Sequence, residues 1–190
     1  MLVTVVRCDG RPDARTQGAA AGMPSAAARH VYQPARPPYT GCVSQEPLTE
    51  SIQHYLREIY KLGAGGDEAV SVGALARAQE VAPASASAMV KKLAALGLAE
   101  HAPYGGVTLT PAGERVALEV IRHHRLLELY LAETLGVHVD DVHDEADRLE
   151  HAISEELEAR IDRALGFPTH DPHGDPIPDA NLEWPGRSTV

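Results

Sequence analysis

Apolar residues begin to recur at helical spacing just after residue 48. Ile52, Tyr55, Leu56, Ile59 and Leu62 share one face of a helix, with Thr49 placed as its N-cap and Glu50 in its first turn. The glycine-rich run 63–66 stops it. Ser71 is placed to cap a short second helix whose apolar side is Val72, Leu75 and Ala76. Val81, Ala82 and Pro83 make a turn, and Pro83 suits the first position of a third helix, where its missing N–H costs nothing. That helix runs to Leu96, buries Met89, Val90 and Leu93, and ends at Gly97. Residues 98–101 and 107–110 then form short extended runs around Pro103-Tyr104-Gly105-Gly106, the pattern of a hairpin with a glycine turn.

Thr110 and Pro111 open a long helix that continues through Leu135 to a stop at Gly136. Asp140 or Asp141 caps the helix that holds residues 143–151, and Ser154 starts a last helix ending at Gly166. Beyond Phe167, prolines at 168, 172, 176, 178 and 185 preclude regular helix, so 167–190 is expected to be a Pro-rich tail, extended on the surface or disordered. Residues 1–46 are rich in Ala, Gly, Pro and Arg without apolar periodicity, and are expected to be a disordered extension. The fold class is mainly α: a winged helix-turn-helix domain over 47–113 with a two-stranded wing, then a helical domain over 114–166.

Helix, short helix, tight turn, helix and glycine hairpin is the order of a DNA-reading module that lays its third helix in the major groove. Pro83 opens that helix. Ala84, Ser85, Ser87 and Ala88 are small enough to approach base edges, and Lys91 and Lys92 follow one turn later for phosphates. Short side chains of this kind combine shape readout with contacts to thymine methyls. The plainer alternative is a small helical protein-interaction module.

Charge changes the picture of the second half. The 190-residue chain carries a net charge of -10, and a binder of nucleic acid is not expected to be acidic throughout. The acids are unevenly placed: residues 114–166 hold fourteen against six arginines, whereas 47–113 hold six against five bases. The densest stretch is His143-Asp144-Glu145-Ala146-Asp147-Arg148-Leu149-Glu150-His151. At about 100° per residue, His143, Asp147, Glu150 and His151 fall within a wedge of roughly 100°. Leu149, Ala152 and Ile153 make the segment amphipathic, so the polar stripe should border a packed face. Upstream, His124 and Glu128 stand four residues apart, a spacing that lets both reach one cation. We read the stretch as one wall of a metal site; the plainer reading is a solvated charged face. Cys8 and Cys42, both in the first 46 residues, offer no cysteine-based zinc site. No run is long enough to span a bilayer, and a cytoplasmic location is expected.

In these motifs the chain resembles the diphtheria toxin repressor family of metal-dependent regulators, in particular its manganese transport regulator branch. The resemblance rests on His54-Tyr55-Leu56-Arg57-Glu58-Ile59-Tyr60, Leu109-Thr110-Pro111-Ala112-Gly113, His124-Arg125-Leu126-Leu127-Glu128, residues 143–151, and Gly174-Asp175-Pro176-Ile177-Pro178. It implies a homodimer that binds double-stranded operator DNA when loaded with a divalent metal. It also implies a primary metal site at His54, Asp147, Glu150 and His151, and an ancillary one at His124, Glu128 and His143. The iron-sensing branch carries Met where this chain has His54, and Cys where it has Asp147. The manganese branch has carboxylates at both positions, so Asp147 agrees with it and His54 agrees with neither. No counterpart of the family's C-terminal SH3-like domain is expected in this sequence.

Oxygen and imidazole donors without thiolate suit Mn2+ first and Fe2+ second, and Zn2+ or Co2+ are expected to bind in vitro. His54 lies on the first helix of the DNA-reading half and the other ligands on later helices, so a shared cation would tie the halves together. The rival in another class is a metallohydrolase with a helical accessory domain. Its His-Glu-x-x-His and His-x-x-Glu-His patterns are not met, because Asp147 stands four residues before His151. No enzymatic activity, organic substrate or membrane partner is expected.

Overall fold

A computed structural model of the chain describes residues 48–66, 68–102 and 105–186. The extension expected over 1–46, and Pro103 and Tyr104 of the wing turn, lie outside the described residues. The elements in chain order are α1 (Glu50–Leu62), α2 (Val72–Ala78), α3 (Pro83–Ala95), β1 (Ala99–Ala102), β2 (Gly106–Leu109), α4 (Pro111–Leu135), α5 (Val142–Leu149) and α6 (Glu155–Ala164).

The punctuation acts largely as the sequence predicts. Ser71, Thr110 and Ser154 accept hydrogen bonds from the N–H groups of Ala74, Gly113 and Leu157, and Gly136 ends α4 in the left-handed conformation. Thr49 and Asp141 occupy the N-cap positions of α1 and α5 without side-chain cap bonds. Thr110 also donates its hydroxyl to the Gly97 carbonyl at 2.7 Å, which fixes the start of α4 to the end of α3. Gly113 is required there: a Cβ at that position would stand 1.9 Å from the Leu98 carbonyl oxygen. The wing pairs antiparallel from Ala99 with Leu109 to Ala102 with Gly106. Val70 adds a bridge to Val107, with both N–H···O bonds at 2.8 Å, and so pins the loop after α1 to the wing.

Two apolar clusters share α4. The first packs Leu56, Leu75, Val90, Leu93 and Val107, all fully buried, against Ala117, Leu118 and Ile121 from the beginning of α4. The second packs Leu126, Leu127, Leu129 and Leu131 from its later turns against Val142, Ala146, Ile161 and Ile177. Each fully buried Leu or Ile contributes about 1.5–3 kcal/mol relative to exposure. The 25-residue α4 is therefore the beam between the DNA-reading half and the acidic half.

Three expectations are corrected. The helix holding the acidic stretch ends at Leu149; Glu150 is its C-cap, still with right-handed helical angles, and His151 lies in the turn that follows. The packed side of α5 is Val142 and Ala146, whereas Leu149 is 39% exposed and Ala152 is exposed. The true stripe runs Val142, Ala146, Glu150, at spacings of four, and buries a carboxylate at its end. The tail does lack helix over 167–186, yet it is no loose surface strand: Asp171, Ile177 and Pro178 are buried. Arg122 donates to the Pro178 carbonyl at 2.6 Å, and Trp184 packs on Tyr60 of α1. Prolines deny this segment a helix; it closes turns of its own, with the Ile177 N–H donating to the Thr169 carbonyl at 2.8 Å, and the arginines of α4 dock it.

Candidate metal centre and DNA-facing helix

The three helices that meet beside the second half of α4 each turn polar side chains inward. Residues three or four apart on a helix share a face, so α1 presents His54 and Arg57, α4 presents His124 and Glu128, and α5 presents His143 and Asp147. The chain leaving α5 adds Glu150 and His151. All seven expected ligands come together in overlapping groups whose donor atoms lie within 4.8 Å of one another: His54, Glu150 and His151; His124, Asp147 and Glu150; His124, Glu128 and His143.

The first cluster spans the two halves. His54 Nε2 and His151 Nε2 stand 2.8 Å apart with the rings edge to face, and Glu150 Oε1 lies 3.2 Å from His151 Nε2. The partners assign the protons. Arg57 donates to His54 Nδ1 at 3.2 Å, so His54 carries its proton on Nε2 and donates to His151 Nε2. His151 in turn donates from Nδ1 to Gln53 Oε1 at 2.6 Å, which leaves its Nε2 the basic atom. Burial holds the His151 imidazole below its usual pKa, in the neutral form that a metal ligand needs.

Arg57 balances the carboxylates. Its Nη1 donates to both oxygens of Glu150, at 2.7 and 2.8 Å, and to Asp147 Oδ1 at 3.0 Å. The Glu150 side chain is wholly buried, and the Nε of Arg57 is buried with no hydrogen-bond partner. Asp147 is partly buried, which would raise its pKa, but Arg57, His124 and His143 outweigh this and hold it low.

The second cluster is centred on Glu128, only 4% exposed in its side chain, whose Oε1 lies 3.1 Å from His124 Nε2 and 3.0 Å from His143 Nδ1. His124 turns its other nitrogen to Glu150 Oε2 at 2.7 Å and so links the two clusters. Burial alone would lower the pKa of His124; hydrogen bonds and charge from Glu128 and Glu150 override it and raise the pKa to about 9. Glu128 is held low in return, burial notwithstanding, chiefly by His124. The donors are carboxylates and imidazoles only, closely spaced, and fit a hard to borderline divalent cation.

Sequence reading missed the supporting residues. Gln53 and Arg57 flank His54 on α1, and nothing in the helical spacing marks either as a partner of the ligands. His123 donates to Glu158 at 2.8 Å, and Arg122 pairs with Glu158 and Asp162, a buried network that docks α6 on α4. The only signal was adjacency: both residues immediately precede His124.

On α3, Pro83, Ala84, Ser85, Ala88, Lys91 and Lys92 are exposed and Ser87 is half-buried, while Ala86, Val90 and Leu93 face the core. Positions 84, 85, 88, 91 and 92 lie along one face, free to enter a groove.

Comparison with known proteins agrees with this division. Residues 47–107 match the family model "Iron dependent repressor, N-terminal DNA binding domain", and residues 110–179 match "Iron dependent repressor, metal binding and dimerisation domain". An uncharacterized HTH-type transcriptional regulator of Methanocaldococcus jannaschii is 32% identical over 114 residues, 60% of this chain and 91% of that one. The chain belongs to the iron-dependent repressor family. Within the family, the diphtheria toxin repressor of Corynebacterium efficiens is 35% identical over 131 residues, 69% of this chain. The chain spans only 56% of that relative's length. A solved structure described as a manganese-dependent transcriptional repressor in complex with manganese is 49% identical, with a TM-score of 0.63, over 68% of this chain and 59% of that one.

Proposed function

We propose that this chain is a metal-activated DNA-binding repressor, a cytoplasmic homodimer that governs divalent-metal homeostasis and responds to Mn2+. The observation that carries the reading is the contact of His54 on α1 with His151 beyond α5, Nε2 to Nε2 at 2.8 Å. It joins the half that bears α3 to the half matched as a metal-binding and dimerisation domain. His54, Asp147, Glu150 and His151 would hold one ion, and His124, Glu128 and His143 a second. A bound ion supplies positive charge shared by ligands from both halves. For His54 to serve as a ligand through Nε2, its proton must move or leave, and Arg57 must give up Glu150. Once His54 is held, α1 is fixed against α5, and α3, packed on α1 and α2, is fixed with it. In a dimer this sets the separation of the two α3 helices near one DNA turn, ~34 Å. A ligand that favours that arrangement shifts the population towards it.

Mn2+ lies at the bottom of the divalent affinity series, so preference for it must come from coordination number and geometry. Sites with more than four donor atoms disfavour tetrahedral zinc, and the four side chains proposed for the first ion exceed four donors when a carboxylate binds through both oxygens. Fe2+ is the second reading, favoured by the description of the matching family models. An enzymatic role is the less favoured reading, because the His-Glu-x-x-His and His-x-x-Glu-His patterns of helical metallohydrolases are not met.

The test is a Mn2+ titration followed by DNA binding on one sample of the His54→Ala variant. The duplex is one selected from a random-sequence pool by the Mn2+-loaded wild-type protein. The variant should fold and dimerise, and lose metal-activated binding by about tenfold or more. Undiminished activation sinks the tether.

A further inference from the structure

The tail ties the two apolar clusters together. Ile177 is buried in the second cluster, while Leu182 and Trp184, a few residues on, pack against the first. Between them Asp179 folds the chain into a compact turn. Its Oδ1 accepts the backbone N–H groups of Asn181 at 2.8 Å and Glu183 at 2.9 Å, and its own N–H donates to the Glu183 carbonyl at 2.9 Å. Leu182 takes a left-handed φ of 65° inside this turn. A branched side chain rarely adopts that conformation, so the surrounding bonds and packing must hold it there. Trp184 then lands on the end of α1. Its Nε1 donates to the hydroxyl of the buried Tyr60 at 2.9 Å, and the two rings stack with centroids 6.4 Å apart. The guanidinium of Arg125, on α4, stands 5.4 Å from the centre of the Trp184 ring, within reach of its electron-rich face. Arg125 and Arg122 also take the Pro176 and Pro178 carbonyls, so the segment 176–184 is fastened to α4 at one end and to α1 at the other. The match to the metal-binding and dimerisation model ends at residue 179, and Leu182 and Trp184 lie beyond it.

What this fastening does follows from where the candidate ligands sit. His54 and Tyr60 share α1, whereas His151, which His54 meets at 2.8 Å, lies beyond α5 in the half that holds Ile177. The first turns of α4 belong to one apolar cluster and its later turns to the other. A helix that bends between them carries His54 away from His151. A second tie running beside α4 opposes that bend. We infer that Trp184 is a positioning residue for the first metal cluster: stacked on Tyr60, it braces α1 against the second half and keeps His54 within reach of Asp147, Glu150 and His151. This rests on the reading of that cluster as a metal site. A site whose competent arrangement is populated only in part binds more weakly by that fraction, so the brace acts on affinity without touching the ion. The second cluster, drawn from α4 and α5 alone, gains nothing from it.

Amide hydrogen exchange in the metal-stripped full chain reads the brace without any ion. Trp184→Ala should quicken exchange in α1 while leaving α6 unchanged, and Trp184→Phe, which keeps a stacking ring, should restore most of the protection. Mn2+ is then titrated into the same proteins, with free ion followed by electron paramagnetic resonance. Trp184→Ala should weaken the His54-dependent ion by about three- to tenfold. In the His54→Ala background, where only the second cluster remains, adding Trp184→Ala should cost nothing. Tyr60→Phe removes only the hydroxyl that accepts from Trp184, so it should weaken the same ion by a smaller factor; it replaces Trp184→Ala if circular dichroism shows that variant unfolded. Equal losses in both backgrounds, no loss in either, or unchanged exchange in α1 overturn the inference and leave the metal site standing. If no ion depends on His54, the inference falls together with the reading it rests on.

Discussion

The first cluster draws His54 from α1 and Glu150 and His151 from beyond α5, so it closes across the boundary between the DNA-reading and acidic halves. The second draws His124, Glu128 and His143 from α4 and α5, which pack on each other within one half. The donors are of the same kinds, but the internal cations differ. Asp147 and Glu150 are balanced by the permanent charge of Arg57, whereas Glu128 is balanced by a proton on His124. An ion held by the first cluster would take the place of the Arg57 guanidinium beside the carboxylates, and one held by the second would take the place of the proton on His124. On the proposed reading, metal at the first would hold a helix, and binding at the second would depend on pH.

The largest effect should come from the residue the clusters share. Glu150→Gln keeps the volume but leaves Arg57 and His124 without their buried partner. Breaking a buried ion pair from one side costs about 3–5 kcal/mol, and the thermal midpoint of the metal-free protein should fall accordingly. Mn2+ binding should weaken at both clusters, at the second because Glu150 orients His124. An unchanged midpoint would show that the Arg57–Glu150 pair contributes nothing to the fold.

How much of this was legible in the sequence follows from what each residue needs from its neighbours. Helix starts at Ser71, Thr110 and Ser154 and stops at Gly97 and Gly136 depend on local chemistry, and they stand where the sequence puts them. The candidate ligands on α4 and in 143–151 were visible because side chains three or four apart on a helix share a face, whereas His54 entered only through the family resemblance. Arg57 was not, because an arginine on an amphipathic helix usually lies along the surface; only the arrival of Glu150 from a residue 93 positions away makes it a buried partner. The packed side of α5 was misjudged for a related reason. Leu149 looked like core, but the surface offered by α4 selects Val142, Ala146 and Glu150, and Leu149 is left exposed. The tail's burial depends on carbonyl partners supplied by Arg122 and Arg125, which no periodicity within the tail could reveal.

Replacing the guanidinium tests the internal-cation side of the comparison, with a smaller effect. Arg57→Met keeps the apolar stem and removes the charge. In the metal-free protein the Asp147 and Glu150 carboxylates lose their counter-ion, though His124 still faces Glu150, so the destabilisation should be about 1–3 kcal/mol. Mn2+ affinity at the first cluster should rise, because no internal cation has to leave, while affinity at the second should hardly move. Calorimetric titration of the metal-stripped variant reads both. A loss of affinity at the first cluster would mean that Arg57 supports the site and does not compete for it.

The smallest effect, and the sharpest division between the clusters, is in their response to pH without metal. His124 has its pKa raised to about 9, against about 6.5 for an unfolded histidine. A raised folded pKa contributes stability that is complete below 6.5 and lost as pH climbs through 9. His151 is shifted the other way by burial, so its contribution is present above the ordinary histidine range and lost on acidification. Glu128 and Asp147, both held low, likewise contribute above the ordinary carboxylate range and lose that contribution in acid. The metal-free protein should therefore be most stable near neutrality, weaken slowly towards pH 9 through the second cluster, and weaken in acid through both. Nuclear magnetic resonance titration of the histidine ring protons separates them: one ring should titrate near 9 and vanish in His124→Gln, while that of His151 titrates below the usual range. Mn2+ binding at the second cluster should then release a proton at pH 7 that binding at His151 does not. Two rings titrating together near 6.5 would erase the difference between a guanidinium-balanced and a proton-balanced site.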